Sequence, residues 1–264
     1  MKIGIIGIGF VGGAIYNSLK QKVNCVIYDK YKNLGTFEQC LKTDMLFLCL
    51  PTIFCKESNE YDKSSILEIC ERLYINKYKG TVILKSTVEP TTTNTLQEKF
   101  SSLKIVHNPE FLSANTAFDD FENQEHIVIG LSNTVTEYDV EKLKNMYSLY
   151  YPDAHISICS SDESESMKIF CNTFYAVKIQ FFTELYILCK KLGFSFETIK
   201  KLMLKNDWIN PMHTNVPGSD GMVSYGGYCF PKDTNALLAF MKSNECPSSV
   251  LSSTVEERNK LRPD

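Results

Sequence analysis

"MKIGIIGIGFVGGAI", residues 1–15, sets a short apolar run against three glycines spaced Gly7-x-Gly9-x-x-Gly12, and a helix-forming stretch follows directly. Glycines at this spacing allow a tight turn and let the backbone approach a pyrophosphate lying on the N-terminus of the next helix. The next apolar run, "CVIYD" (25–29), ends in Asp29 about twenty residues on, where a carboxylate can bind the ribose hydroxyls of NAD and repel the 2′-phosphate of NADP. Lys30 and Lys32 lie nearby, so the preference for NAD rests on Asp29. A signal peptide is the competing reading of residues 1–15, but glycines break the apolar run and no small-x-small cleavage site follows.

Outward from this motif, "MLFLCL" (45–50), "TVILKST" (81–87), "KIVHNP" (104–109), "HIVIG" (126–130) and "HISIC" (155–159) recur, several with helical stretches between them. Runs of this length and spacing read as parallel strands of an α/β sheet. The expected fold is therefore a Rossmann-type, doubly wound, mostly parallel sheet over residues 1–160 that binds NAD. After residue 160 the pattern changes. "SSDESESMKIFCNTFYAVKIQFFTELYILCKKLGF" has no glycine or proline before Gly193, and Ser160 and Glu163 stand in capping-box register, which predicts one long helix opening a helical domain over 161–264.

Composition narrows the function classes. The 264 residues are 44% hydrophobic and 22% charged with a net charge of −3, and arginine occurs only at Arg72, Arg258 and Arg262, so a nucleic-acid partner is not expected. No apolar run reaches the roughly 18 residues of a membrane span. Ten scattered cysteines without a CxxC pair fit reduced thiols in a cytoplasmic protein, with no metal site.

Several residues carry chemistry. "LPT" (50–52) and "KST" (85–87) close predicted strands, at the carboxyl ends where ligands lie in such sheets, so Thr52 and Thr87 can offer hydroxyls to a cofactor or a reacting oxygen; each also reads as an ordinary turn residue. Glu110, in "HNPEF" (107–111), is a candidate base or a solvated loop acid. Lys168 and Asn172 share one helix face, where an ammonium and an amide can stabilise an alkoxide. In "YGGYCFPKDT" (225–234), Pro231 and Asp233 are expected to start the helix "TNALLAFMK". Cys229 would then stand just before the positive end of its dipole, beside Lys232, as a candidate nucleophile.

In this order, "GIIGIGFVGG", "LPT", "KST", "NPEFL", "SMKIFCNTFYAVKIQFFTEL" and "YGGYCFPKDT" resemble the nucleotide-sugar 6-dehydrogenases, the group of UDP-glucose and GDP-mannose dehydrogenases. The resemblance implies an NAD-binding Rossmann domain, a helical dimerisation domain, and oxidation of a sugar CH2OH to a carboxylate in two hydride transfers, with UDP-glucose the first candidate because "YGGYC" resembles that branch. It implies that Cys229 forms the thiohemiacetal and thioester, Lys168 and Asn172 stabilise the oxyanion, Asp233 takes part in proton transfer, and Glu110 with Thr87 serves acid/base steps and hydrolysis. Gly7, Gly9, Phe10, Val11, Gly12, Asp29, Thr52 and Lys232 would hold NAD.

The sequence departs from the family pattern in three places. Ser113-Ala114 stands where the family commonly has Arg-Glu, and Trp208 lies roughly where an arginine reaches the partner's sugar. The sequence stops at Asp264 before the family's third α/β domain, so a shortened form lacking that domain is expected. Two other readings stay open: a two-domain β-hydroxyacid dehydrogenase on a small substrate, which has no need of Cys229, and a non-catalytic NAD- or partner-binding module.

Overall fold

The computed structural model describes residues 1–113 and 116–262. In chain order the elements up to the second long loop are β1 (Lys2–Ile6), α1 (Phe10–Leu19), β2 (Asn24–Asp29), β3 (Leu34–Gly35), α2 (Phe37–Cys40), β4 (Met45–Leu48), β5 (Phe54–Cys55), β6 (Glu60–Tyr61), α3 (Ser64–Ile75) and β7 (Thr81–Leu84). There follow α4 (Thr92–Lys99), β8 (Lys104–His107), α5 (Ala117–Glu122), β9 (His126–Leu131), α6 (Glu141–Tyr150), β10 (His155–Ser160), α7 (Ser161–Leu192), α8 (Phe196–Leu204), α9 (Cys229–Ser243) and α10 (Ser249–Leu261). The chain divides into two units, one of residues 1–53 and 61–168, the other of residues 54–60 and 169–264.

The first unit is built on an eight-stranded sheet in the order β10-β9-β8-β7-β4-β1-β2-β3. Its strands are apolar on both sides, and alternate residues feed two cores. Ile3, Ile5, Met45, Phe47, Ile83 and Val106 pack with α1 and α6, whereas Ile6, Leu46, Leu48, Val82, Leu84 and Ile105 pack with α2, α3 and α4. Burial on both faces is the condition under which parallel strands read as unbroken apolar runs. The strand order reverses at β1, which lies between β2 and β4, so the crevice beyond its carboxyl end is the switch point where ligands lie in such sheets.

The sheet is mostly parallel, as the sequence predicts, with two antiparallel exceptions. β8 and β9 run antiparallel, pairing Val106 with Leu131 and His107 with Gly130, and β10 follows β9 in parallel. In the described residues, the start of β9 lies at the carboxyl end of β8, where the chain leaves that strand. Phe111, just past β8, stacks on His126, the first residue of β9; α5 packs on α1 through a Ser18–Glu122 hydrogen bond and on the turn after α1 through a Lys22–Glu122 ion pair of 2.5 Å. The other exception is β3, which pairs antiparallel with β2; β3, and β5 and β6 of the separate ribbon, are two-residue strands, too short to leave a periodic signal. The apolar runs also end as strands earlier than their sequence does, at Leu48, Leu84 and His107, which leaves "LPT", "KST" and "NPEF" as loops.

The second unit is helical. α7 runs unbroken to Leu192, where Gly193 takes φ +75° and the Phe194 N–H returns to the Cys189 carbonyl at 2.9 Å, a glycine stop. At its start the capping box forms as the sequence predicts: the Ser160 N–H donates to Glu163 Oε2 at 2.9 Å and the Glu163 N–H to Ser160 Oγ at 3.2 Å. Phe182, Cys189, Phe196 and Val216 form one small apolar cluster in this unit. Among the described residues no helix is long and apolar enough to cross a membrane.

Candidate active site

The glycine turn joins β1 to α1. Gly7 has φ +86°, and a Cβ on Gly12 would run into the Gly7 carbonyl, so both positions require glycine; a Cβ on Gly9 would meet nothing within 4 Å. Gly9 is the N-cap of α1 and brings no side chain to the helix end, and the first turn carries no acidic residue. Phe10 is exposed, Val11 half-buried and Gly12 buried. The opening beside Gly9, together with the first N–H groups of a ten-residue helix, is what a pyrophosphate requires.

Asp29 closes β2 and is buried. Its Oδ2 accepts the Ile8 N–H at 2.8 Å, and its Oδ1 accepts those of Tyr31 and Lys32 at 3.0 Å. Burial pushes this carboxyl up, but the three N–H donors and the Lys32 charge outweigh it and hold the group below the usual carboxylate range. Asp29 thus ties the glycine turn to the end of β2, and the spare lone pairs of an ionised carboxylate remain for a ribose hydroxyl. Lys32 donates to the Ile8 carbonyl at 2.5 Å, across the same turn.

The strand-end loops hold one another. Thr52 Oγ1 donates to the Thr87 carbonyl at 2.7 Å, and Ser86 Oγ donates to the Leu50 carbonyl at 2.7 Å. Thr52 has therefore spent its hydroxyl proton and can only accept from a ligand. Next to these loops Glu110 and Lys168, far apart in sequence, come together: Lys168 Nζ is 3.3 Å from Glu110 Oε1, and Glu110 Oε2 accepts the Leu112 N–H at 2.6 Å. Lys168 is buried, with its ammonium 5.3 Å from the centre of the Phe111 ring. Ser113 donates its N–H to Asp120 at 2.7 Å, and Ala114 lies outside the described residues.

In the second unit Asn172 Nδ2 donates to Asp233 Oδ2 at 2.6 Å, and Lys232 Nζ is 2.5 Å from Asp233 Oδ1. Asp233 is fully buried, one carboxylate holding an amide and an ammonium. Helix α9 begins at Cys229 itself, not at Pro231 or Asp233 as expected. Pro231 still sits within the first turn, where the missing N–H costs nothing. Cys229 is exposed, at the positive end of a fifteen-residue helix. Trp208 is exposed. Among the described residues no cluster of three His, Cys, Asp or Glu side chains is placed to hold a metal.

Sequence reasoning passed over three buried polar groups. Lys85, Glu165 and His107 are each nearly or wholly inaccessible. Lys85 donates to Asn108 Oδ1 and the Pro109 carbonyl, both at 3.1 Å, and burial draws its ammonium down to about 8. Glu165 takes the N–H of Thr93 at 2.7 Å and its hydroxyl at 2.5 Å, and burial raises it to about 7. His107 Nδ1 meets Ser164 Oγ at 2.8 Å, and burial lowers it to about 3, which keeps the ring neutral. For Lys85 and His107 the available signal was a titratable residue directly after, or at the end of, a mostly apolar strand; Glu165, in the second turn of α7, left no such signal.

Residues 25–151 match the model of the UDP-glucose/GDP-mannose dehydrogenase family NAD binding domain, and residues 162–260 match that of the family's central domain. The chain belongs to this family. As a member it is an NAD-dependent dehydrogenase. It is similar to UDP-glucose 6-dehydrogenase of Rickettsia bellii, 31% identical over an alignment of 308 positions that covers all of this chain and 68% of the relative. It is similar also to UDP-glucose 6-dehydrogenase of Campylobacter jejuni, 29% identical over 300 positions, covering 99% of this chain and 72% of the relative. Among solved structures, the UDP-glucose dehydrogenase of the archaeon Pyrobaculum islandicum shares the fold with a TM-score of 0.85 at 22% identity, over 98% of this chain and 68% of that one.

Proposed function

We propose that this dehydrogenase oxidises the primary alcohol of a nucleotide sugar, UDP-glucose the first candidate, to the carboxylate in two steps through a covalent bond to Cys229. The observation that carries the reading is Cys229 itself: an exposed thiol at the first position of α9, four residues before a buried aspartate that already holds Lys232 and Asn172. Gly7, Gly9, Phe10, Val11, Gly12, Asp29, Thr52 and Lys232 would hold NAD, which would supply the hydride acceptor for each oxidation. Cys229 adds its thiolate to the aldehyde carbon, and the resulting thiohemiacetal, once oxidised to a thioester, keeps the sugar attached between the two oxidations. Lys168 and Asn172 stabilise oxygen as it gains charge. Asp233 orients the Asn172 amide and takes part in proton transfer, while Glu110, with Thr87, activates the water that cleaves the thioester.

We further propose a homodimer through α7. Phe170, Phe174, Phe181, Leu188 and Leu192 are all exposed, and at about 100° per residue they fall within about 40° of one another on the helix. A sustained 4-7-7-4 spacing on a helix face is the pattern of a seam between helices. A dimer by light scattering that becomes monomeric in Phe174→Glu/Phe181→Glu supports this, and a wild-type monomer refutes it. We place the reaction in the cytoplasm, where a reactive thiol stays reduced.

The activity test is NADH yield per sugar. With NAD and UDP-glucose the expected result is two NADH per sugar, with acid formation abolished in Cys229→Ala while NAD binding by calorimetry is retained. One NADH per substrate, or a Cys229→Ala protein as active as the parent, would refute the covalent route and favour a two-electron dehydrogenase acting on a smaller alcohol.

A further inference from the structure

We propose that Lys85 is a positioning residue for Glu110, clamping the Pro109–Glu110 peptide so that the Glu110 carboxylate stands against Lys168. The inference rests on the reading of Glu110 as the acid/base group and goes beyond it.

Lys85 is the first residue after β7 and is 3% exposed. An ammonium so enclosed is held only if its protons find acceptors, because burying an unpartnered charge costs several kcal/mol. Both of its recorded acceptors belong to the loop that carries Glu110. One is Asn108 Oδ1 and the other is the carbonyl of the very peptide bond that leads into Glu110, each at 3.1 Å. Asn108 cannot yield, since its Oδ1 also takes the Tyr147 hydroxyl at 2.6 Å and its amide donates to the Val128 carbonyl at 2.6 Å. Tyr147 lies in α6 and Val128 in β9, so Lys85 bolts the loop to a frame anchored on two other elements. The far side of Glu110 is fixed by the Leu112 N–H and by Lys168.

The titratable groups whose charge acts on Lys85 are Cys49, Glu110 and Lys168, and the Phe121 ring lies 5.9 Å from its nitrogen. Lys85 does not need to touch substrate in order to matter. A rotation of the 109–110 peptide would swing the Glu110 carboxylate off the line set by Lys168, and a misplacement of about 1 Å at a reacting group costs about 100-fold in rate. The lowering of Lys85 toward 8 by burial agrees with this placement, since the loop carbonyls hold an ammonium at the margin of its protonated range.

The test compares crystal structures and kinetics of Lys85→Met, which keeps the bulk and removes the donors, and Lys85→Gln, which keeps donors and drops the charge. In Lys85→Met the Glu110 carboxylate is expected to leave Lys168, and in Lys85→Gln to remain beside it. Glu110 staying against Lys168 in Lys85→Met overturns the proposal, whether or not the protein turns over a sugar. With NAD and UDP-glucose, Lys85→Met is expected to lose about 100-fold in kcat with KM for NAD little changed, and to cost nothing more when added to Glu110→Gln. Multiplicative losses in the double variant, or a loss confined to NAD binding, also overturn it. If Lys85→Met displaces Glu110 but Glu110→Gln leaves turnover intact, the positioning stands and the assigned role of Glu110 fails. If Lys85→Met does not fold, Lys85→Gln decides: Glu110 displaced despite retained donors overturns the clamp, and Glu110 held by them supports it.

Discussion

Asp29→Asn tests whether the end of β2 holds the glycine turn together as its geometry indicates. The side chain keeps its shape, but one carboxylate oxygen becomes an NH2 group. Oδ2 serves Ile8 and Oδ1 serves Tyr31 and Lys32, so whichever way the amide turns, at least one backbone N–H faces another donor. With hydrogen bonds to a charged group worth about 1.5–3 kcal/mol, the loss at pH 7 is about 2–3 kcal/mol. In a chain of this size about 2–4 °C accompanies each kcal/mol, so Tm should fall by about 5–10 °C.

The pH dependence supplies the sign. The folded-state carboxyl of Asp29 lies below its unfolded value, about 3.9 for an unperturbed aspartate, so its contribution is present above that value and fades as pH falls through the folded one. Melts of the parent and the variant should therefore differ most near neutrality and converge in acid. Equal Tm values at pH 7, or a difference that stays constant as the carboxyl protonates, would refute the three-bond account.

Three further substitutions probe other positions. Gly12→Ala should weaken NAD binding by at least about tenfold in calorimetry, because its Cβ meets the Gly7 backbone carbonyl, whereas Gly13→Ala, with nothing within 4 Å of its Cβ, should bind normally and gain up to about 1 kcal/mol of helix propensity. Glu165→Gln should stabilise the protein in urea melts above pH 7: burial raises Glu165 to about 7, so its favourable protonated form is present below the unfolded value and is lost as pH rises through the folded one. No gain at pH 8, or an equal gain at pH 4, would show that the carboxyl is not held neutral.

Local patterns revealed the glycine turn, the Ser160–Glu163 cap, the unbroken α7 and the mostly parallel sheet, because each is written in a few neighbouring residues. The meetings of distant residues were less legible. Lys168 was read as the partner of Asn172 on one helix face, and the structure gives each a carboxylate of its own, Glu110 for one and Asp233 for the other. Spacing on a helix tells which residues share a face but not what the rest of the chain brings to it. Thr52 and Thr87 were read as donors of hydroxyls, and Thr52 spends its proton on the Thr87 carbonyl, a choice made by two loops 35 residues apart. The direction of β9 was hidden for the same reason, since it depends on the end of the sheet at which the strand begins.

That reversed strand also determines how Lys168 arrives. Because β9 and β10 run against β8, the chain enters α7 beside the middle of β8 and travels in the direction in which β8 points: Ser164 meets His107, and Lys168, one turn later, meets Glu110. The first two turns of α7 thus act as a ruler with its zero mark at the Ser160 cap. Removing one residue between Ser160 and Lys168 would turn the ammonium by about 100° around the helix and draw it back by about 1.5 Å. The length of that short segment is therefore as much a part of the site as the identity of the lysine at its end.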